Sequence, residues 1–224
     1  MAGAPSPARP GAGAPRLTLE FFHDVVCGWC FNLSPRLRAL AAELPIEVRH
    51  RAFVLQDSQA RMAEVFGSPA RAKAEILRHW QACRAASDAP ERIDVARMRA
   101  APFPYPHGLP GALACKAAER LGGRDAHWAM FDALQRAHLS EARNVADPAV
   151  LVETAAALGL GPGFARLMEA PGVRAAVEAD RALARRLGIR TVPSLILREG
   201  RVRLDHGSPG ALRAQLLDAL RRAA

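Results

Sequence analysis

Cys27 and Cys30 stand in the stretch DVVCGWCF, residues 24–31, with Gly28 and Trp29 between them. Two thiols at this spacing lie one turn apart when a helix begins at the first. A disulfide between them can then close and reopen with little movement. The partial positive charge of a helix N-terminus also favours thiolate, drawing a thiol pKa from about 8.5 toward about 3.5–7.5. The strand-to-helix turn is expected to expose Cys27, which makes Cys27 the attacking thiol and Cys30 the one that resolves a mixed disulfide. Zinc is the other use of such a pair, but a structural zinc site takes four ligands. The only other thiols, Cys83 and Cys115, fall in apparent amphipathic helices, and no His pair stands at finger spacing. No metal site is therefore expected. Two structural thiols without chemistry are the remaining alternative.

The pattern of apolar residues sets out the elements that would position this pair. Residues 17–22, LTLEFF, read as a short apolar strand. Phe31, Leu33, Leu37, Leu40 and Ala41 then recur at helical spacing to about Glu43, and Pro45 closes the run. Residues 46–55, IEVRHRAFVL, alternate Ile46, Val48, His50 and Ala52 against Glu47, Arg49 and Arg51, a half-buried strand. Strand, dithiol, helix and strand make a βαβ unit. Ser68-Pro69 and Asp147-Pro148 each pair an N-cap residue with proline at the first helical position. Further helices are expected near 109–121, 125–139 and 173–187, with Gly122-Gly123 and Gly159 as stops. The prolines of 101–111 require an extended connector. β-structure returns in TVPSLIL (191–197) and RVRLDH (201–206), joined by a turn at Glu199-Gly200, and Ser208-Pro209 caps a last helix to about Leu220. Four segments follow: a disordered leader of Ala, Pro and Gly at 1–16, a first β part at 17–56, a mainly helical insertion at 57–187, and a second β part at 188–224. The two β parts are expected to share one sheet, since a lone hairpin is marginal.

This order, with DVVCGWCF, Pro35 five residues after Cys30, RRLGIRTVPSLIL (185–197) and AHWAMFDALQRAHLSEARNVADPAVL (126–151), resembles the thioredoxin fold in its DsbA-like form, an α/β fold with a large helical insertion. Over roughly residues 17–222 the chain is most similar to the FrnE-like branch of dithiol–disulfide oxidoreductases. The resemblance implies a helix kinked at Pro35 and a cis bond at Val192-Pro193. It also implies a Val192 main chain that pairs with an extended substrate peptide, with Pro193 beside the sulfurs. Trp29 reads either as an apolar platform for that substrate or as packing on the turn. DsbA carries a histidine between its cysteines, whereas Gly28-Trp29 adds no charge, so a disulfide less oxidising than DsbA's about −120 mV is implied. The buried acid that thioredoxins often hold beneath the dithiol has no clear counterpart in Glu20 or Asp24.

Other residues read more plainly. His23 is expected to be an exposed loop histidine, and His127 and His138 to lie on a helix surface or interface. Trp128, Phe131 and Leu134, at helical spacing, are core. Phe103, Tyr105 and His107 pack down from the proline-rich connector, and Cys83 and Cys115 are inert buried thiols. The formal charge of +9 does not carry a nucleic-acid reading, because the arginines are scattered and no basic run is interleaved with aromatics. No apolar stretch approaches the ~20 residues that cross a bilayer, and no apolar signal segment opens the chain. The expectation is a cytoplasmic thiol–disulfide oxidoreductase, monomer or homodimer, without membrane or nucleic-acid partners. It would act as reductase or isomerase on a disulfide-containing protein or a small thiol, with no bound cofactor and glutathione as redox partner. The kappa-type glutathione transferases and 2-hydroxychromene-2-carboxylate isomerases, of similar fold, are the rival reading. They usually place serine where Cys27 stands. A non-catalytic binding module is the third.

Overall fold

β1 (Leu17–His23) is buried along its whole length because helices cover both its faces. In the computed structural model, which describes residues 17–198 and 201–223, it lies inside a sheet of strand order β2-β1-β3-β4. The expected leader and the turn at Glu199-Gly200 lie outside the described residues. β2 (Ile46–Ala52) runs parallel to β1, from Leu17↔Ile46 to His23↔Ala52. A parallel pair needs a crossover, and α1 (Gly28–Glu43) supplies it. β3 (Ser194–Leu197) pairs antiparallel with β1, and β4 (Val202–Leu204) with β3, so the two ends of the chain share one sheet.

β2 alternates buried and half-buried residues as its sequence requires, but it stops at Ala52 rather than at 55. Val54 takes φ +60°, a conformation poorly suited to a β-branched residue, which turns the chain out of the sheet. β3 likewise begins at Ser194, three residues after the expected start, because Thr191 to Pro193 form a loop.

Leu19 and Phe21 of β1 face the main core with Leu33, Leu37 and Leu40 of α1 and Phe131 farther along the chain. Phe22 and Ile196 face the other way, onto Ala184. Pro35 lies within α1, where it removes one backbone donor.

The helical part comprises α2 (Gln59–Phe66), α3 (Pro69–Ala85), a short turn at Pro90–Arg92, α4 (Val95–Ala100), α5 (Leu109–Leu139), α6 (Pro148–Ala157), α7 (Phe164–Met168) and α8 (Pro171–Arg186). The Ser68 hydroxyl accepts from Arg71 N at 3.2 Å and the Asp147 carboxylate from Ala149 N at 2.9 Å, so both N-caps form. Gly122 and Gly123 interrupt α5, Gly123 at φ +68°. α9 (Pro209–Ala223) ends the described chain and packs Leu212 and Leu216 into the main core.

Candidate active site

Cys27 is the N-cap of α1, and its Sγ accepts from the Cys30 N–H at 3.3 Å. The thiol also donates to Val192 O at 3.6 Å, so the loop before β3 meets the first turn of α1 at the sulfur. The Val192–Pro193 bond is cis, Val192 is half-buried and Pro193 is buried. Both thiols are free.

Cys27 is only 6 % exposed, contrary to expectation, because the helical part closes over the turn that would have exposed it. Its sulfur lies in an apolar depression of about 240 Å³, walled by Trp29, Leu55, Met62, Trp80, Tyr105 and Val192. Exposure falls instead on Trp29, at 42 %, which also borders a second depression reaching Val192, Pro193 and His206. Cys30 is fully buried, and that burial, with Cys27 beside it, pushes its thiol well above the usual range.

Two buried side chains hold the turn by its carbonyls, and a buried carboxylate holds it by an N–H. Gln135 Nε2 of α5 donates to Cys27 O at 2.9 Å. The Tyr105 hydroxyl donates to Val26 O at 2.9 Å. It accepts from Trp80 Nε1 at 3.0 Å and meets His138 Nε2 at 2.9 Å. Because the hydroxyl has one proton, already given to Val26, His138 must carry its proton on Nε2. Asp24 accepts from Val26 N at 3.2 Å and from Leu55 N at 2.6 Å, the latter aimed by the turn at Val54. Burial raises the Asp24 carboxyl above the usual range. Its negative charge in turn opposes ionisation of Cys30, which makes Asp24 the buried acid near the dithiol that the sequence had not singled out. Glu20 is instead paired with Arg51.

Three histidines are corrected. His23 is the last residue of β1 and is buried, while His127 and His138 are fully buried on α5. The signal was available: His23 shares the parity of Leu19 and Phe21, and His127, Phe131, Leu134 and His138 follow helical spacing on one stripe. His23, His50 and His127 converge as one group able to hold a metal. Cys83 borders the same depression as Cys27, and burial pushes it up to about 12. A Cβ on Gly28 would lie 3.1 Å from the Cys83 sulfur, so the small residue between the cysteines is matched to α3 behind it. Gln135 carried no sequence signal.

The family profile described as Thioredoxin matches residues 21–207. No curated protein sequence matches the chain significantly. The cytosolic disulfide reductase DsbM from Pseudomonas aeruginosa is 30% identical, with a TM-score of 0.70 over 92% of this chain and 100% of that one. A second structure of it, with GSH, aligns at 28% identity and a TM-score of 0.67, again over 92% and 100%. A Nitrosomonas europaea protein inferred to be a protein disulfide isomerase is 21% identical, at a TM-score of 0.75 over 93% of this chain and 99% of that one. A 2-hydroxychromene-2-carboxylate isomerase aligns over 92% and 97% at 14% identity and a TM-score of 0.63, a likeness of fold alone. The architecture is therefore the α/β thioredoxin fold with a large helical insertion. The chain belongs to the DsbA-like family of thioredoxin-fold oxidoreductases.

Proposed function

We propose that the protein is a thiol–disulfide oxidoreductase of the FrnE-like kind, working in the cytosol as a reductase or isomerase through Cys27 and Cys30. The observation that carries the reading is the N-cap sulfur of Cys27, facing Val192 O at 3.6 Å and open on an apolar depression. In the first step Cys27 thiolate attacks a substrate disulfide, forming a mixed disulfide and releasing one substrate thiolate. Cys30 then loses its proton and attacks the Cys27 sulfur, which releases the second substrate thiolate and leaves a Cys27–Cys30 disulfide. The Cys30 proton passes to the substrate thiolate released in the first step, so that no charge accumulates in the buried turn. Two glutathione thiols restore the dithiol and leave as glutathione disulfide. Val192 main chain and Pro193 position the partner chain, and Trp29 offers it apolar contact. The GSH carried by the Pseudomonas relative and that protein's cytosolic description support both the redox partner and the location.

A glutathione redox titration, read by alkylation and mass, tests this. The expected result is one reversible two-electron transition, at a potential below DsbA's about −120 mV. Cys27→Ser removes the transition, and Cys30→Ser accumulates a glutathione adduct on Cys27. A pair that never oxidises, or never reopens, overturns the proposal. Glutathione-dependent turnover of a small molecule with no dithiol transition would favour the transferase or isomerase reading, for which the apolar depression also leaves room.

A further inference from the structure

We infer that His23, His50 and His127 form a binding site for a divalent transition metal of the zinc, cobalt or nickel class. Among the described residues these three make up the one group of metal-ligating side chains gathered closely enough for this, and one ligand nitrogen of each lies within 4.8 Å of the others. They come from β1, β2 and α5, with His50 27 and His127 104 residues from His23. A search for short ligand spacings therefore passes over them.

Two of the three separations come close to those a metal sets. His23 Nε2 lies 3.0 Å from His50 Nδ1 and 3.3 Å from His127 Nε2, and the third pair lies within 4.8 Å. A tetrahedral ion with nitrogen ligands at about 2.0–2.1 Å sets those ligands about 3.3–3.4 Å apart. Hydrogen bonding accounts for the same arrangement poorly. Glu119 Oε2 stands 2.8 Å from His127 Nδ1, and a carboxylate only accepts, so the His127 proton sits on Nδ1. The Nε2 lone pair of His127 then points at His23 Nε2, which also faces His50 Nδ1. One proton at most is available at His23 Nε2 for two neighbours. His23 Nδ1 and His50 Nε2 have no protein partner through which the rings might be rearranged. A cation converts this crowding of lone pairs into ligation.

The surroundings also fit. A carboxylate on the far nitrogen of a ligating histidine fixes its tautomer and raises its basicity, which is the place Glu119 holds. Lys116 is the nearest opposing charge, but its ammonium is paired with Asp180 at 2.8 Å and Glu119 at 2.8 Å. A depression of about 370 Å³, bordered by His50, His127, Glu47, Glu119, Arg49 and Arg124, leads from the surface to the two rings. It brings solvent to two of the three rings, the side from which an ion would enter. A bound ion would tie β1, β2 and α5 together at the strand end four residues before Cys27.

The test uses the full chain with Cys27→Ser and Cys30→Ser, so that the dithiol cannot bind the metal and the redox proposal is not being measured. Titration of the metal-free protein with cobalt(II) alone should saturate at one equivalent, with visible bands of a nitrogen-ligated tetrahedral ion. Glu119→Gln should weaken binding by about 10–100-fold, and His50→Gln and His127→Gln should abolish it while circular dichroism shows a native spectrum. X-ray absorption of the zinc-loaded protein reads the ligands without any histidine variant and should report three imidazoles at about 2.0–2.1 Å. No stoichiometric cobalt binding, fewer than three imidazoles, or unchanged affinity in both histidine variants overturns the inference.

Discussion

Gly108 and Gly111, at the start of α5, support the dithiol turn by what they lack. A Cβ on Gly108 would fall 2.3 Å from an Asp24 carboxylate oxygen, and one on Gly111 would fall 2.2 Å from Val25 Cγ2. Gly111→Ala is expected to cost about 1–3 kcal/mol in urea unfolding, whereas Gly210→Ala, with open space around it in α9, should be neutral or gain up to about 1 kcal/mol. An equal effect at both sites would sink the account of the turn. His138 gives the pH dependence at this scale. Burial lowers it to about 3, while the unfolded chain binds the proton near 6.5. Between those values the unfolded state holds more protons, so this stability is full above pH 6.5 and is lost as pH falls toward 3. The slope is at most about 1.4 kcal/mol per pH unit. His138→Gln should lose less stability than the wild type between pH 7 and pH 5, read from urea midpoints. Identical slopes would mean that His138 is not buried neutral.

At the scale of elements, α5 holds one carbonyl of the turn through Gln135 and braces Tyr105, which holds another, through His138. Replacing Gln135 with Ala leaves Cys27 O without its side-chain donor, and Tyr105→Phe does the same to Val26 O. Gln135→Ala is expected to cost about 0.5–1.5 kcal/mol, one hydrogen bond, since Cys27 O still accepts from Phe31 N, and Tyr105→Phe about 1–3 kcal/mol, the penalty of a buried polar group left unpaired. Both should also slow disulfide exchange, because the first turn of α1 loses its fixed position. Stopped-flow reduction of a model disulfide, set beside the urea midpoint, checks the pair. Loss of stability with unchanged exchange would show that α5 supports the fold but not the site. These contacts could not be read in advance. Helix 109–121 and helix 125–139 were legible from spacing, Gly122-Gly123 from its glycines, and the stripe His127, Phe131, Leu134, His138 from its period. Gln135 lies one residue beyond Leu134 and is buried because α5 meets the loop at Cys27, a meeting that no local pattern records.

Across the whole molecule, one carboxylate joins three parts of the chain. Asp180 of α8 pairs with Arg51 of β2 at 2.9 Å and Lys116 of α5 at 2.8 Å, and it accepts from Ala52 N at 3.0 Å. Asp180→Ala strands the Ala52 N–H and leaves Arg51 with only Glu20 and Lys116 with only Glu119, and should cost about 1–3 kcal/mol in chemical unfolding. A loss below about 1 kcal/mol would show that solvent already screens the pair. Much of the molecule was determined by the sequence alone. The paired cysteines at a helix start, the βαβ opening, both N-caps and the return of β-structure after Val192-Pro193 are all local, because capping, periodicity and proline act within a few residues. Distant chain segments decided the rest. Cys27 is covered rather than open because α2, α3 and the 101–108 connector close over it, and Asp24 is a buried acid because Leu55 N reaches it from beyond β2. His23, His50 and His127 meet only after β1, β2 and α5 have packed. Burial and convergence of side chains depend on which elements pack together, and that depends on the whole fold.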